Sequence, residues 1–258
     1  MTKDGSIETS AEKTLAGKVA LVTGSARRIG AEIVRTLHKD YARVAIHYRG
    51  SHEDARALAA ELNAERDDSA AIFKADLLDT ASLPALAKDV LGWAGRLDIL
   101  VNNASTFYPT PLGSITETQW DDLIGSNLKA PLFLSQACLP ALRDARGVII
   151  NLVDIHSGNP LKNHHVYSPA KAALAMLTRA LAKDLGPEIR VNGVSPGAIL
   201  WPSDGMSEEV KDKILNQVPL SRAGGPADIA GCVLYLIRDA NYVSGQIIAV
   251  DGGRSAGW

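Results

Sequence analysis

The stretch Asp154-Ile-His-Ser-Gly-Asn-Pro-Leu-Lys-Asn-His-His-Val-Tyr-Ser-Pro-Ala-Lys171 carries side chains able to donate and accept protons. Tyr167 and Lys171 stand four apart at the head of an alanine-rich apolar run, 170–185, that predicts a helix. That spacing puts phenol and ammonium on one helical face. A cation beside a phenol stabilises phenolate and predicts a tyrosine pKa below its ordinary value of about 10. The phenol then serves as proton donor and acceptor near neutral pH. Asp154, accepting hydrogen bonds when ionised, either acts on Tyr167, raising its pKa and keeping it protonated, or caps the following loop through backbone N–H groups. A Tyr-x-x-x-Lys spacing also arises by chance in helices, so the rest of the chain must decide.

Elements that would position these groups alternate in type. Apolar runs predict strands at 18–23, 43–48, 70–74, 97–102, 146–153, 190–194 and 246–250. Helical spacing, as at Ile29, Ile33, Val34 and Leu37, fills the intervals, with further helices at 53–63, 81–93, 119–142, 207–217 and 227–236 and Pro131 as a break or a fresh start. Strand–helix alternation implies one doubly wound, Rossmann-type parallel sheet of about seven strands with helices on both faces. A chain of 258 residues, 46% hydrophobic, suits a single such domain over 16–258 after a polar tail at 1–15. That tail has no apolar run fit for a signal peptide or membrane anchor.

Lys and Arg number 27 against 29 Asp and Glu, a net charge of −2, which leaves no electrostatic footprint for nucleic acid or an anionic membrane. The expected partners are small molecules and further copies of the chain. Cys138 and Cys232 are too few for a disulfide framework and fit a reducing compartment such as the cytoplasm. His156, His164 and His165 make no metal site, because adjacent histidines diverge and no Cys, Asp or Glu cluster completes a ligand set.

The segment Thr23-Gly-Ser-Ala-Arg-Arg-Ile-Gly30 links strand to helix, where unpaired N–H groups and the helix dipole attract a pyrophosphate and glycine allows close approach. Gly24 and Gly30 supply two of the usual positions; Arg28 occupies the third and offers a charge instead. An acid that would bind a ribose diol is missing at the end of the second strand, which reads His47-Tyr-Arg-Gly-Ser51. Arg49 and Ser51, with His47 or Arg28, can hold a 2′-phosphate there, so NADPH is the expected coenzyme; a solvated Arg is the plain alternative. Asp76 either bonds an adenine amino group or caps a turn. Asn102-Asn-Ala-Ser105 leaves room for ribose and nicotinamide, or is turn chemistry alone. Phe107 either stacks on a flat ligand or fills its loop's own core, and Asn127 is either solvated or a buried link in a proton path. Trp201 suits a substrate lid or surface packing.

Taken together, Thr23-Gly24 to Gly30, Asn102-Asn103-Ala104, Asn127, Tyr167-x-x-x-Lys171, Pro196-Gly197 and Asp251-Gly-Gly253 resemble the short-chain dehydrogenase/reductase family over residues 16–253. Within it, Arg28, His47 to Ser51, Asn103 to Leu112 and Asp154 resemble the pteridine reductases. That resemblance implies NADPH as hydride donor, pterins or folates as substrates and a homotetramer. It implies catalysis by Asp154, Tyr167, Lys171 and Asn127. Coenzyme would lie on Gly24, Arg28, Ile29 and Gly30, on His47, Tyr48, Arg49 and Ser51, and on Asp76, Leu77, Asn103, Ala104 and Ser105. Tyr167, Lys171, Pro196 and Gly197 would complete that site. Substrate would meet Arg28, Ser105, Phe107, Asp154, Tyr167 and Trp201. The competing functions are a general carbonyl reductase of the same fold and a non-catalytic dinucleotide-binding protein.

Overall fold

Four apolar residues, Val19–Val22 (β1), are wholly enclosed, as a parallel strand covered on both faces requires. A computed structural model describes residues 14–199 and 207–257. Arg43–Tyr48 (β2), Ala70–Lys74 (β3), Ile99–Asn102 (β4), Val148–Leu152 (β5), Arg190–Pro196 (β6) and Ile247–Val250 (β7) join β1 in one seven-stranded sheet of order β3-β2-β1-β4-β5-β6-β7. Every pairing is parallel, with Ala20 beside Val44 on one side and Ile99 on the other. The doubly wound reading therefore holds.

Helices Arg28–Lys39 (α1) and His52–Glu65 (α2) cover one face with Pro226–Arg238 (α8). Leu83–Ala94 (α3), Ala130–Asp144 (α5) and Tyr167–Leu185 (α6) cover the other. Glu117–Ile124 (α4) precedes α5, and Glu208–Leu215 (α7) precedes α8. Chain order reverses between β1 and β4, so a crevice opens at their carboxyl ends, the usual ligand position in such sheets.

Two local features differ from the expectation. The helical stretch over 119–142, with its break or fresh start expected at Pro131, is α4 and α5 joined further upstream by a π-helical turn, Gly125–Lys129, which is wider than an α turn. Pro131 lies in the first turn of α5, where its missing N–H is not needed. Leu15, placed in the tail, is buried, and its N–H donates to Asp40 O at 2.8 Å. Both cysteines are free; burial pushes the Cys138 thiol up to about 12. Among the described residues no helix is long and apolar enough to cross a membrane.

Candidate active site

The crevice between β1 and β4 is a cleft of about 360 Å³ whose walls include Gly24, Arg28, Ile29, Gly30, His47, Arg49, Asp76, Leu77, Asn103, Ala104 and Ser105. Its floor admits only glycine at two points. A Cβ on Gly24 would stand 2.9 Å from Ala104 Cα, and one on Gly30 2.6 Å from both Asn103 Nδ2 and Gly24 O. Arg28 has φ +54°, so it takes the left-handed conformation that glycine adopts freely, at a cost of about 1 to 3 kcal/mol. Thr23 and Asn103 lock the ends of β1 and β4 together: Thr23 Oγ1 accepts from the N–H groups of Asn103 and Ala104, both at 2.9 Å, and Asn103 Nδ2 donates to Thr23 O at 2.7 Å. Asn102 turns inward instead and donates to Asn151 Oδ1 at 2.8 Å.

The end of β2 divides its labour differently from the expectation. His47 lines the cleft, yet both its ring nitrogens face protein backbone. Its Nδ1 accepts from Gly24 N–H at 3.0 Å, its Nε2 faces Ala75 O at 3.3 Å, and burial lowers its pKa to about 4. A neutral ring with both nitrogens engaged braces the glycine loop. Tyr48 is likewise buried, its hydroxyl 2.7 Å from His52 Nδ1, and Ser51 stands at the N-terminus of α2 outside the described cleft walls. Arg49 remains as an exposed cation on the wall. Arg27, which the sequence reading passed over, lines the same wall and pairs with Asp54. Asp76 does cap a turn, accepting from Leu78 N–H at 3.1 Å, while its side of the cleft stays open.

Beyond Ser105 the catalytic candidates converge. Tyr167 Oη donates to Asp154 Oδ2 at 2.8 Å, and Asp154 Oδ1 accepts from His156 N–H at 2.8 Å at the start of a short 3₁₀ turn, Ile155–Ser157. One carboxylate therefore both touches Tyr167 Oη and caps the following turn. Lys171, 3% exposed, donates to Leu152 O at 2.8 Å and lies 5.8 Å from the Tyr167 ring centroid. The expected lowering of the Tyr167 pKa is reversed: burial and the touching Asp154 carboxylate hold it well above 10, against a smaller lowering from Ser105. Lys171 is itself lowered to about 8 by burial, Asp154 opposing.

Asn127 is buried rather than solvated. The π-helical turn aims it inward, where Oδ1 accepts from Ser105 Oγ at 2.6 Å and Nδ2 donates to Thr106 O at 2.9 Å and Leu123 O at 3.0 Å. Phe107 is 54% exposed, so it does not fill its loop's own core. Its ring meets Tyr167 edge-on at 4.8 Å between centroids.

This geometry can be set beside known proteins. A family model described as enoyl-(acyl carrier protein) reductase matches residues 24–255. The chain is 40% identical over 242 residues to 3-oxoacyl-(acyl-carrier-protein) reductase FabG of Staphylococcus aureus, covering 92% of this chain and 97% of that protein. It is 38% identical over 279 residues to pteridine reductase 1 of Leishmania tarentolae, covering 92% and 96%. It is 34% identical over 254 residues to the short chain dehydrogenase/reductase nsrJ of Aspergillus novofumigatus, covering 93% and 96%. The chain belongs to the short-chain dehydrogenase/reductase family.

Membership makes this chain an oxidoreductase, of a family whose members use a nicotinamide dinucleotide. The cleft fits that coenzyme, since its glycine floor and exposed cations suit a pyrophosphate-bearing ligand. Pro196 and Gly197 lie at the end of β6 rather than in the described cleft wall; a Cβ on Gly197 would stand 2.6 Å from Asp251 Cβ, so the glycine lets β6 and β7 close together. Trp201 falls outside the described residues. Besides Arg27, the wall residues not foreseen are Leu78, Thr106 and Ser126, none of which carries a motif of its own.

Proposed function

We propose that this chain reduces pterins, of the dihydropterin or dihydrofolate kind, with NADPH. The observation that carries the reading is the carboxylate bonded to Tyr167 Oη at 2.8 Å. An ionised carboxylate cannot donate to a ketone oxygen, whereas it suits a substrate whose ring N–H groups need acceptors. Bound NADPH would supply the hydride to a ring carbon. Tyr167, kept protonated by Asp154 and burial, gives its proton to the adjacent ring nitrogen, so one C=N bond becomes CH–NH. A phenolate facing Asp154 is disfavoured, which speeds its reprotonation. Ser105 and Asn127 would form the hydrogen-bonded route for that proton, and Lys171, bonded to Leu152 O, would also hold the coenzyme ribose.

Arg49 and Arg28 would take the coenzyme phosphates, with Arg27 beside them. Phe107 would form one wall of a slot that holds the flat bicycle against the nicotinamide, orienting the reducible carbon. The exposed Leu132, Phe133 and Met176 on α5 and α6 are the apolar surface that copies in a homotetramer would cover. A cytoplasmic setting, where thiols stay reduced, belongs to the same proposal. The second reading, 3-oxoacyl reduction, is favoured by the 40% identity to FabG.

NADPH consumption with dihydrobiopterin, dihydromonapterin, dihydrofolate and a 3-oxoacyl thioester separates the two. The pterin reading expects the pterins to be turned over at least tenfold more efficiently; the reverse preference overturns it. Light scattering of the purified chain tests the tetramer.

A further inference from the structure

The loop that delivers Tyr167 carries a second ring the mechanism does not use. His164, 9% exposed, stacks on Phe107 with centroids 4.8 Å apart and planes 18° from parallel, and lies 6.3 Å from the Tyr167 ring. Phe107, His164 and Tyr167 thus form one aromatic cluster, of which Phe107 is the exposed member.

The His164 ring is fixed in place. Its Nδ1 stands 2.8 Å from Lys162 O, an acceptor only, which requires the proton on Nδ1. Its backbone O accepts from Ser168 N–H at 3.1 Å, in the first turn of α6. Thr110, on the loop after Phe107, donates its N–H to Asn163 O at 2.6 Å, and Thr110 Oγ1 accepts from Val166 N–H at 3.3 Å. The loop bearing the exposed ring and the loop bearing the proton donor are pinned on either side of His164. Its other nitrogen, Nε2, is buried with no hydrogen-bond partner. Buried polar atoms are rarely left without a partner, so the ring's place here is set by its stacking and its Nδ1 tether rather than by Nε2.

We infer that His164 is a positioning residue: its tethered ring fixes the plane of Phe107 relative to Tyr167 and so sets where a flat substrate rests against the proton donor. The nature of that substrate rests on the pterin reading; the positioning itself does not. A side chain lacking the ring leaves Phe107 free to change rotamer, and productive alignment is lost although the donor, its carboxylate and the coenzyme cleft are intact. An aromatic of similar shape at 164 restores the support without the polar nitrogens.

The test is a double-mutant cycle between Phe107→Ala and His164→Ala, with His164→Phe as the rescue, read as kcat and KM on whichever substrate class the wild type turns over, together with NADPH Kd and Tm. His164→Ala should lower kcat/KM about tenfold with NADPH Kd within twofold. In the Phe107→Ala background it should change kcat/KM by less than twofold, and His164→Phe should recover most of the loss. Equal losses in both backgrounds, or no rescue by Phe in a variant whose Tm matches the wild type, would overturn the assignment. If the wild type reduces only 3-oxoacyl thioesters, the pterin reading fails. The same cycle on the thioester still decides the positioning role, by the same two outcomes.

Discussion

The two ends of the cleft use positive charge in opposite ways. At the β2 end Arg49 is an exposed cation and Arg27 pairs with Asp54 near solvent. At the α6 end Lys171 is sealed from water, bonded to a backbone carbonyl, and lowered to about 8. An exposed guanidinium keeps its charge and attracts a phosphate through a screened field. A buried ammonium is sensitive to every nearby group, so its protonation can follow the reaction. The outer cations are suited to recognition and the inner cation to chemistry.

Removing the proton donor should have the largest effect. Tyr167→Phe is expected to lower kcat by about 10² to 10⁴ with NADPH affinity little changed. Asp154→Asn sharpens the same point, because an amide oxygen can still accept from His156 N–H while the charge beside Tyr167 is gone. If Asp154→Asn keeps near wild-type kcat between pH 5 and 8, the carboxylate is only a cap.

His47 offers a test of the brace that separates the ends. Its folded pKa of about 4 lies below the ordinary 6.5, so the neutral form is favoured by folding. That stability is complete above pH 6.5 and is lost as pH falls toward 4, at about 3 kcal/mol for the whole interval. Urea unfolding of wild type and His47→Gln at pH 7 and pH 4 should show the wild type losing more by this amount; parallel losses would remove the assignment.

The inner cation predicts a divergence near pH 8. The Lys171 ammonium should be lost above that pH, so NADPH affinity should fall, and the fall should be absent in Lys171→Met. Folding stability should move the other way. The unfolded chain keeps this lysine protonated to about 10.5, so it binds more protons than the folded chain between the two values and stability rises with pH there. Parallel pH profiles for the two chains would break the contrast.

At the outer end, Arg49→Ala should weaken NADPH about ten- to a hundredfold and leave NADH nearly unchanged, as for one charge-assisted phosphate contact. The difference should shrink as salt rises. Equal losses for both coenzymes would show that no 2′-phosphate is held there.

The doubly wound sheet was legible because its evidence is local: buried strands such as 19–22 are continuous apolar runs, and helices such as α1 repeat every 3.6 residues. Gly24, Gly30, Tyr167 and Lys171 were legible for the same reason, since fixed spacing on one turn or one helical face determines what they can reach. Placement across the chain was not. The helix reading over 119–142 could not show the π-helical turn that aims Asn127 inward, because the turn opens on Gly125-Ser-Asn127, which carry no apolar spacing to read. Nor could residue types say that His47 would be a neutral brace, that Arg27 would face Asp54, or that burial and Asp154 would together outweigh Lys171 at Tyr167. Each depends on which partner arrives within 3 or 4 Å and how much water is displaced, and those distances exist only once β1, β2, β4 and α6 have packed.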